Sequence, residues 1–220
     1  VKNPITTIAF DYGGVLARRI DDTYLCHMAE AAGAPVDEFI AALWRHRSEY
    51  DSGEFSAAVY WQMVIEEAGS RLPRDGNRRE ETVELLTHLD AFAWSTLNPG
   101  MLRWMAALRQ EGYRRFLLSN MAPETYDLII RDRPLLGYLD RVVLSGWLGI
   151  NKPDREIFLE AARQMEVSPR EILFIDDLQH NVEGAREAGL HALRFTGTSD
   201  LSLALAELYP AIPRRGLDCC

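Results

Sequence analysis

Four short segments hold the residues of this chain that could act together chemically. They are FDYGGVL at 10–16, LLSN at 117–120, NKPD at 151–154 and FIDD at 174–177. Between them they supply the carboxylates of Asp11, Asp176 and Asp177, the hydroxyl of Ser119 with nearby backbone N–H groups, and the ammonium of Lys152. Grouped carboxylates attract a hard cation such as Mg²⁺, which keeps several of its waters. A lysine and backbone amides offset the charge of a phosphate. The set is therefore a kit for a phosphoryl group and a divalent cation.

The elements around these segments place them. Thr6–Phe10, Arg115–Leu118, Arg141–Leu144, Ile172–Ile175 and His191–Phe195 are short apolar runs that read as buried strands. Helical patterns separate the later ones: Pro99–Gln110, Pro123–Ile130, a helix opened by Pro153, and one that runs to Ala188 before Gly189. Strands alternating with helices imply right-handed βαβ units and a parallel sheet, hence an α/β fold. Ligands of such sheets sit at the carboxyl ends of the strands. Asp11, Ser119 and Asp176 fall at three of those ends, and Lys152 precedes a helix on the same side.

Residues 17–92 carry no convincing strand. Four apolar stripes read as four helices: Tyr24, Leu25, Met28, Ala29 and Ala32; then Val36, Phe39, Ile40, Leu43 and Trp44; then Phe55, Val59 and Met63; then Val83, Leu85, Leu86 and Leu89. Breaks are expected at Gly33, Gly69 and 73–77. A helical insertion directly after the first strand is expected to form its own lobe.

The order and context of the four segments resemble the HAD (haloacid dehalogenase-like) superfamily of hydrolases, over nearly the whole chain. The resemblance implies a Rossmann-like, three-layer parallel-sheet core at 1–16 and 93–220, with an inserted helical-bundle cap of the C1 type at 17–92. It also implies a Mg²⁺-dependent phosphohydrolase acting on a small phosphorylated metabolite. Asp11 matches the nucleophile that forms an aspartyl-phosphate and ligates Mg²⁺. Ser119 matches the hydroxyl that binds the transferring phosphoryl group, and Lys152 the lysine that pairs with it and with Asp11. Asp176 and Asp177 match the metal-ligand position and its neighbour. Gly13, through its carbonyl, completes the expected metal set of Asp11, Gly13, Asp176 and Asp177. Gly13, Gly14, Asn120 and Arg18 are the expected phosphate or substrate contacts. Asn181 stands where many relatives have a further acidic residue.

One position departs from the family pattern. The usual first motif is Asp-x-Asp-Gly, whose second aspartate is the general acid/base. Here that position is Gly13. A bacterial subgroup similar to sugar-1-phosphate phosphatases also has glycine there, as Asp-x-Gly-Asn-Val. General acid–base assistance contributes about 10²–10⁴-fold. Without it a good leaving group is needed, such as an anomeric sugar oxygen, a phenol or an acyl carboxylate. His180 could approach the site but reads first as an exposed helix-start residue. Arg19, like Arg18, reads as a substrate contact or a solvated hinge. Trp44 reads as core, and Arg45, His46 and Arg47 read as a solvated helix face.

Composition bounds the alternatives. The chain has 220 residues, 47% hydrophobic and 26% charged, with 24 basic and 33 acidic side chains for a net charge of −9. That is ordinary globular composition, enough for one core and a small lobe. The acidic balance argues against a nucleic-acid-binding surface. No apolar run reaches membrane-spanning length, and residues 1–7 lack the apolar stretch of a signal peptide. Cys26, Cys219 and Cys220 do not make a disulfide framework, so a cytoplasmic protein is expected, with Cys219-Cys220 as a frayed tail. Oligomeric state is left open. Two other functions remain: a phosphate-binding protein that no longer turns over, and a 2-haloacid dehalogenase. Asp176-Asp177 argues against the latter, because two unneutralised carboxylates would repel an anionic substrate.

Overall fold

The computed structural model describes residues 5–72 and 77–217. Its centre is a five-stranded parallel sheet in the order β3-β2-β1-β4-β5. The strands are β1 (Thr7–Phe10), β2 (Arg114–Ser119), β3 (Arg141–Leu144), β4 (Ile172–Asp176) and β5 (His191–Arg194). β1 and β4 are buried along their whole lengths, as parallel strands covered on both faces must be. Side chains alternate between the faces. Ile8, Phe10, Leu117 and Ile175 join one hydrophobic cluster, while Ala9, Phe116, Leu118 and Phe174 join another.

Helices cover both faces. Trp104, Met105 and Leu108 of α6 (Pro99–Gln110) and Leu201 and Leu205 of α11 (Thr198–Leu208) fill the first cluster. Ile157 and Phe158 of α9 (Arg155–Met165) and Val182 of α10 (Gln179–Glu187) fill the second. The fold is therefore the expected three-layer α/β arrangement. Helix α11, beyond the last strand, was not among the sequence expectations, nor was the single turn α8 (Ser145–Leu148). Helix α7 (Pro123–Ile129) begins a few residues after the end of β2.

Between β1 and α6 the described residues form five helices rather than four: α1 (Asp22–Ala31), α2 (Val36–Arg45), α3 (Arg47–Asp51), α4 (Ala57–Glu67) and α5 (Asn77–Ala93). The break expected at 73–77 lies, but for Asn77, outside the described residues. Asp21 and Ser56 cap α1 and α4 by accepting from the N–H groups of Tyr24 and Val59. Their buried faces meet in a third hydrophobic cluster. The stripe expected on α4 is corrected. Val59 is 44% exposed, and Tyr60, Trp61, Val64 and Ile65 turn inward instead. This helix is apolar nearly all round, so periodicity could not choose its face. The choice falls to aromatic packing, with Tyr60 stacked on Tyr50 at 4.3 Å between centroids. Leu85 is likewise exposed, and α5 buries Thr82, Val83, Leu86 and Asp90.

The insertion is fastened to the sheet in two places. Its entering and leaving chains pair, with Arg18 N donating to Thr96 O and Asn98 N to Leu16 O, both at 2.8 Å. Helix α3 docks on α8 and the loop after it, which follow β3. Ser145 Oγ donates to Asp51 O, and Asn151 Nδ2 donates to Ser48 O at 2.7 Å. No helix among the described residues is long and apolar enough to cross a membrane. Cys26 is exposed and unpaired with another cysteine, and Cys219 and Cys220 lie outside the described residues.

Candidate active site

The strand ends bring the chemistry together. Asp11 follows β1 directly, and its N–H donates to Ile175 O at 2.9 Å, which fixes it beside β4. Its Oδ1 accepts from Ser119 Oγ at 2.9 Å and from Lys152 Nζ at 2.8 Å. The same ammonium donates to Asp176 Oδ2 at 2.7 Å. All four side chains are buried, Asp11 with 7% exposure and Asp176 with none. Lys152 is held in place by Asn120, whose Nδ2 donates to Lys152 O at 2.9 Å while its Oδ1 accepts from Lys152 N at 2.8 Å. Asn120 lines the cleft, and its side chain is committed to the lysine backbone.

Asp11, Asp176 and Asp177 each place a carboxylate oxygen within 4.8 Å of the others. Burial, reinforced by the charges of Asp176 and Asp177 and opposed by Lys152, pushes Asp11 up to about 7 from its ordinary 3.8. Burial also raises Asp177, with Arg19 working against it. Burial alone would lower Lys152, yet Asp11 and Asp176 together hold it above its usual value, as an ammonium. When all three carboxyl groups are ionised they outnumber Lys152 and Arg19. Asn181 Nδ2 donates to both oxygens of Asp176 at 3.1–3.2 Å, and its own Oδ1 is buried with no partner among the described residues. Hard oxygen donors, excess negative charge and an orphaned amide oxygen are a donor set that fits Mg²⁺.

The two glycines of the first motif are each hemmed in by one side chain. A Cβ on Gly14 would lie 2.1 Å from Asp177 Oδ2, and Gly14 has φ +77°, where only glycine is unstrained. Gly14 thus lets the Asp177 carboxylate approach the backbone and is absent from the cleft lining. A Cβ on Gly13 would lie 3.0 Å from Trp94 Cζ3. The indole of Trp94 thus abuts the point where a side chain on Gly13 would begin. Arg18 is exposed and does not line the cleft. Its neighbour Arg19 does, donating from Nε to Asp177 Oδ2 at 2.7 Å. Pairing of the connector with Thr96 decides which of the two adjacent arginines turns toward the site.

Above the strand ends is a cavity of about 630 Å³ whose far wall comes from the helical insertion, through Ile20, Leu25, Trp44, Arg47, Ser48 and Asp51. The sequence reading missed this wall. Arg47, read as solvated, is largely shielded, with 12% side-chain exposure, between Asp51 (Nε to Oδ1, 2.9 Å) and Asp90 (Nη1 to Oδ1, 2.8 Å). Their charges outweigh burial and hold the guanidinium firmly protonated. Arg45 and His46 instead pair with Glu67 at the surface. Trp44, 46% exposed, faces the cavity rather than a core. His180 is exposed at its rim. The four-residue spacing of Arg47 and Asp51 was the one available signal for this wall.

Known proteins resemble the chain in sequence and in fold. The sequence model of a family described as haloacid dehalogenase-like hydrolase matches residues 5–189. Glyceraldehyde 3-phosphate phosphatase of Methanopyrus kandleri is 29% identical over 192 residues, 80% of this chain and 80% of that protein. (S)-2-haloacid dehalogenase 1 of a Pseudomonas species is 26% identical over 198 residues, 87% and 85% of the two chains. Among solved structures, a HAD family enzyme from Bacteroides thetaiotaomicron, in complex with magnesium and inorganic phosphate, superposes with a TM-score of 0.63. Its identity is 21%, over 86% of this chain and 93% of that one.

Proposed function

Because the chain belongs to the haloacid dehalogenase-like hydrolase family, we propose that it hydrolyses the phosphate ester of a small metabolite, with Asp11 as nucleophile. The observation that carries this reading is the Lys152 ammonium shared between Asp11 Oδ1 and Asp176 Oδ2, with Ser119 Oγ on the same Asp11 oxygen. The phosphatase among the relatives supports it.

The roles follow from position. Asp11 attacks phosphorus through the carboxylate oxygen that Lys152 and Ser119 do not hold. Lys152, an ammonium buried at the strand ends, neutralises equatorial phosphoryl charge as it accumulates. Ser119 Oγ and the backbone around Asn120 orient the same oxygens. Asn120 acts through Lys152 as a positioning residue. Water then attacks the aspartyl-phosphate and restores Asp11. Asp11, Asp176, Asp177 and the Gly13 carbonyl would hold Mg²⁺, which supplies positive charge against the phosphoryl oxygens and the crowded carboxylates. The magnesium and phosphate of the structural neighbour support this assignment. In the same reading residues 17–92 are a cap over a core of 1–16 and 93–220, closing on the leaving group and excluding water.

A second reading has its own observation, the similarity to a 2-haloacid dehalogenase. One experiment separates them. Phosphate release is measured from p-nitrophenyl phosphate, acetyl phosphate, glucose 1-phosphate and glucose 6-phosphate, with and without Mg²⁺. Chloride release from 2-chloropropionate is measured in excess chelator. Mg²⁺-dependent phosphate release that is lost in Asp11→Asn supports the phosphatase. Chloride release in chelator overturns it.

A further inference from the structure

We propose that Asp51, on the insertion's side of the cleft, is the proton carrier that Gly13 cannot be. This rests on the phosphatase reading above. In-line displacement puts the leaving oxygen on the side of phosphorus away from Asp11. That side faces the wall built by the insertion, where Asp51 lines the same cavity as Asp11, Ser119 and Lys152. Its Oδ1 is held by Arg47 at 2.9 Å, and its Oδ2 has no hydrogen-bond partner among the described residues. The backbone that carries it is also held. Ser145 Oγ grips the backbone oxygen of Asp51, and Asn151 grips Ser48 one turn earlier.

The other titratable groups of the cleft are less suited. Asp177 is tied to Arg19 within the carboxylate cluster. Lys152 is shared by two carboxylates. His180 stands exposed at the rim. The groups facing Asp51 are Arg47 on its own helix, Asp90 from α5, Tyr60 from α4 and Lys152 from the core. Burial, opposed by Arg47 and reinforced by Asp90, pushes Asp51 up to about 6. Both of its forms are then populated near neutrality, as a group that gives and retakes a proton requires.

The chemistry balances. In the first step the bond from Asp11 to phosphorus forms as the bond to the leaving oxygen breaks. That oxygen keeps the electron pair and takes the proton of Asp51. In the second step water attacks phosphorus, Asp51 carboxylate takes the water proton, and the bond to Asp11 breaks with its pair returning to the carboxylate. An alcohol and inorganic phosphate leave, and both residues are restored. With this acid in place the requirement for a good leaving group falls away, and simple alkyl phosphates become substrates.

The test compares the alkyl phosphate turned over fastest, from a panel of sugar and polyol phosphates, with p-nitrophenyl phosphate, whose leaving group needs no proton. First-turnover rates are measured with Mg²⁺ for the full chain and for Asp51→Asn, His180→Gln and Asp11→Asn. Removing the acid is expected to slow the alkyl ester by about 10²–10⁴-fold, and the aryl ester by at least tenfold less. At saturating Mg²⁺, whose charge would keep Asp11 ionised, the alkyl rate of the unaltered protein is expected to fall as pH rises through about 6, a limb missing from its aryl rate and from the variant. Equal loss on both esters would reduce Asp51 to a structural partner of Arg47 and overturn the proposal. So would a collapse confined to His180→Gln, or an unaltered protein that cleaves only the aryl ester. Should Asp51→Asn not fold, the pH limb of the unaltered protein decides alone, and its absence overturns the proposal. Failure to release phosphate from any ester would instead remove the phosphatase reading itself.

Discussion

Trp94 stands over Gly13, with its Cζ3 atom 3.0 Å from where a Cβ on Gly13 would be. The glycine and the indole are therefore one feature. The ring crowds the first atom of any side chain at residue 13, and it comes from the chain returning out of the helical insertion. Restoring the family's aspartate alone should not restore its chemistry. Gly13→Asp is expected to lose about 1–3 kcal/mol of stability by overpacking and to gain no turnover. Adding Trp94→Ala should raise the activity of Gly13→Asp. Denaturant unfolding and phosphate release check both. A Gly13→Asp protein as stable as the parent and faster would contradict the steric account.

Gly14 and Asp177 make a second tight pair. A methyl group on Gly14 would meet the carboxylate at 2.1 Å, so Gly14→Ala must push Asp177 aside. Disturbed support of a metal ligand costs about 10–100-fold in affinity. The Mg²⁺ concentration giving half-maximal thermal stabilisation should rise by that factor. An unchanged Mg²⁺ midpoint would remove Asp177 from the metal set.

Asn120 tests positioning. Asn120→Ala takes away both bonds to the Lys152 backbone. It leaves a part-buried N–H and C=O unsatisfied, at about 1–3 kcal/mol each. Turnover should fall at least tenfold with the KM for substrate nearly constant, because Lys152 keeps its charge and loses its register. An effect on KM alone would place Asn120 in ground-state binding.

The carboxylate cluster sets a pH dependence of stability. Folding raises Asp11 from 3.8 to about 7, so the folded state binds its proton more tightly than the unfolded chain does. Its contribution is full below pH 3.8 and is lost as pH rises through about 7. Without Mg²⁺, the parent protein should therefore lose Tm relative to Asp11→Asn across that window. With Mg²⁺ the difference should shrink. Parallel Tm profiles without metal would show that Asp11 is not held under this strain.

The sheet and the strand-end residues were legible because burial and chemistry leave separate marks. Ile172–Ile175 is apolar without a break and then ends in Asp176-Asp177. A buried parallel strand that ends in carboxylates admits few other readings. The cleft wall was not legible. Arg47 and Asp51 lie four residues apart among other charged side chains, which looks the same for a surface ion pair as for a buried one. What buries them is the stacking of Tyr50 on Tyr60, together with Asp90 reaching across from α5. Those contacts join residues too far apart in sequence for any periodicity to reveal. Arg18 and Arg19 show the same limit at close range. Adjacent residues of an extended connector point to opposite sides, and only the pairing with residue 96 sets which one faces Asp177.

The most direct test of the central claim is to find the phosphoryl group on the protein. The chain is mixed with p-nitrophenyl phosphate and Mg²⁺, quenched in acid within one turnover, digested and analysed by mass spectrometry. The account predicts a phosphoryl group on the peptide containing Asp11, at the Asp11 carboxylate, and neither label nor phosphate release in Asp11→Asn. Phosphate release without a label on Asp11, or release that persists in Asp11→Asn, would contradict it.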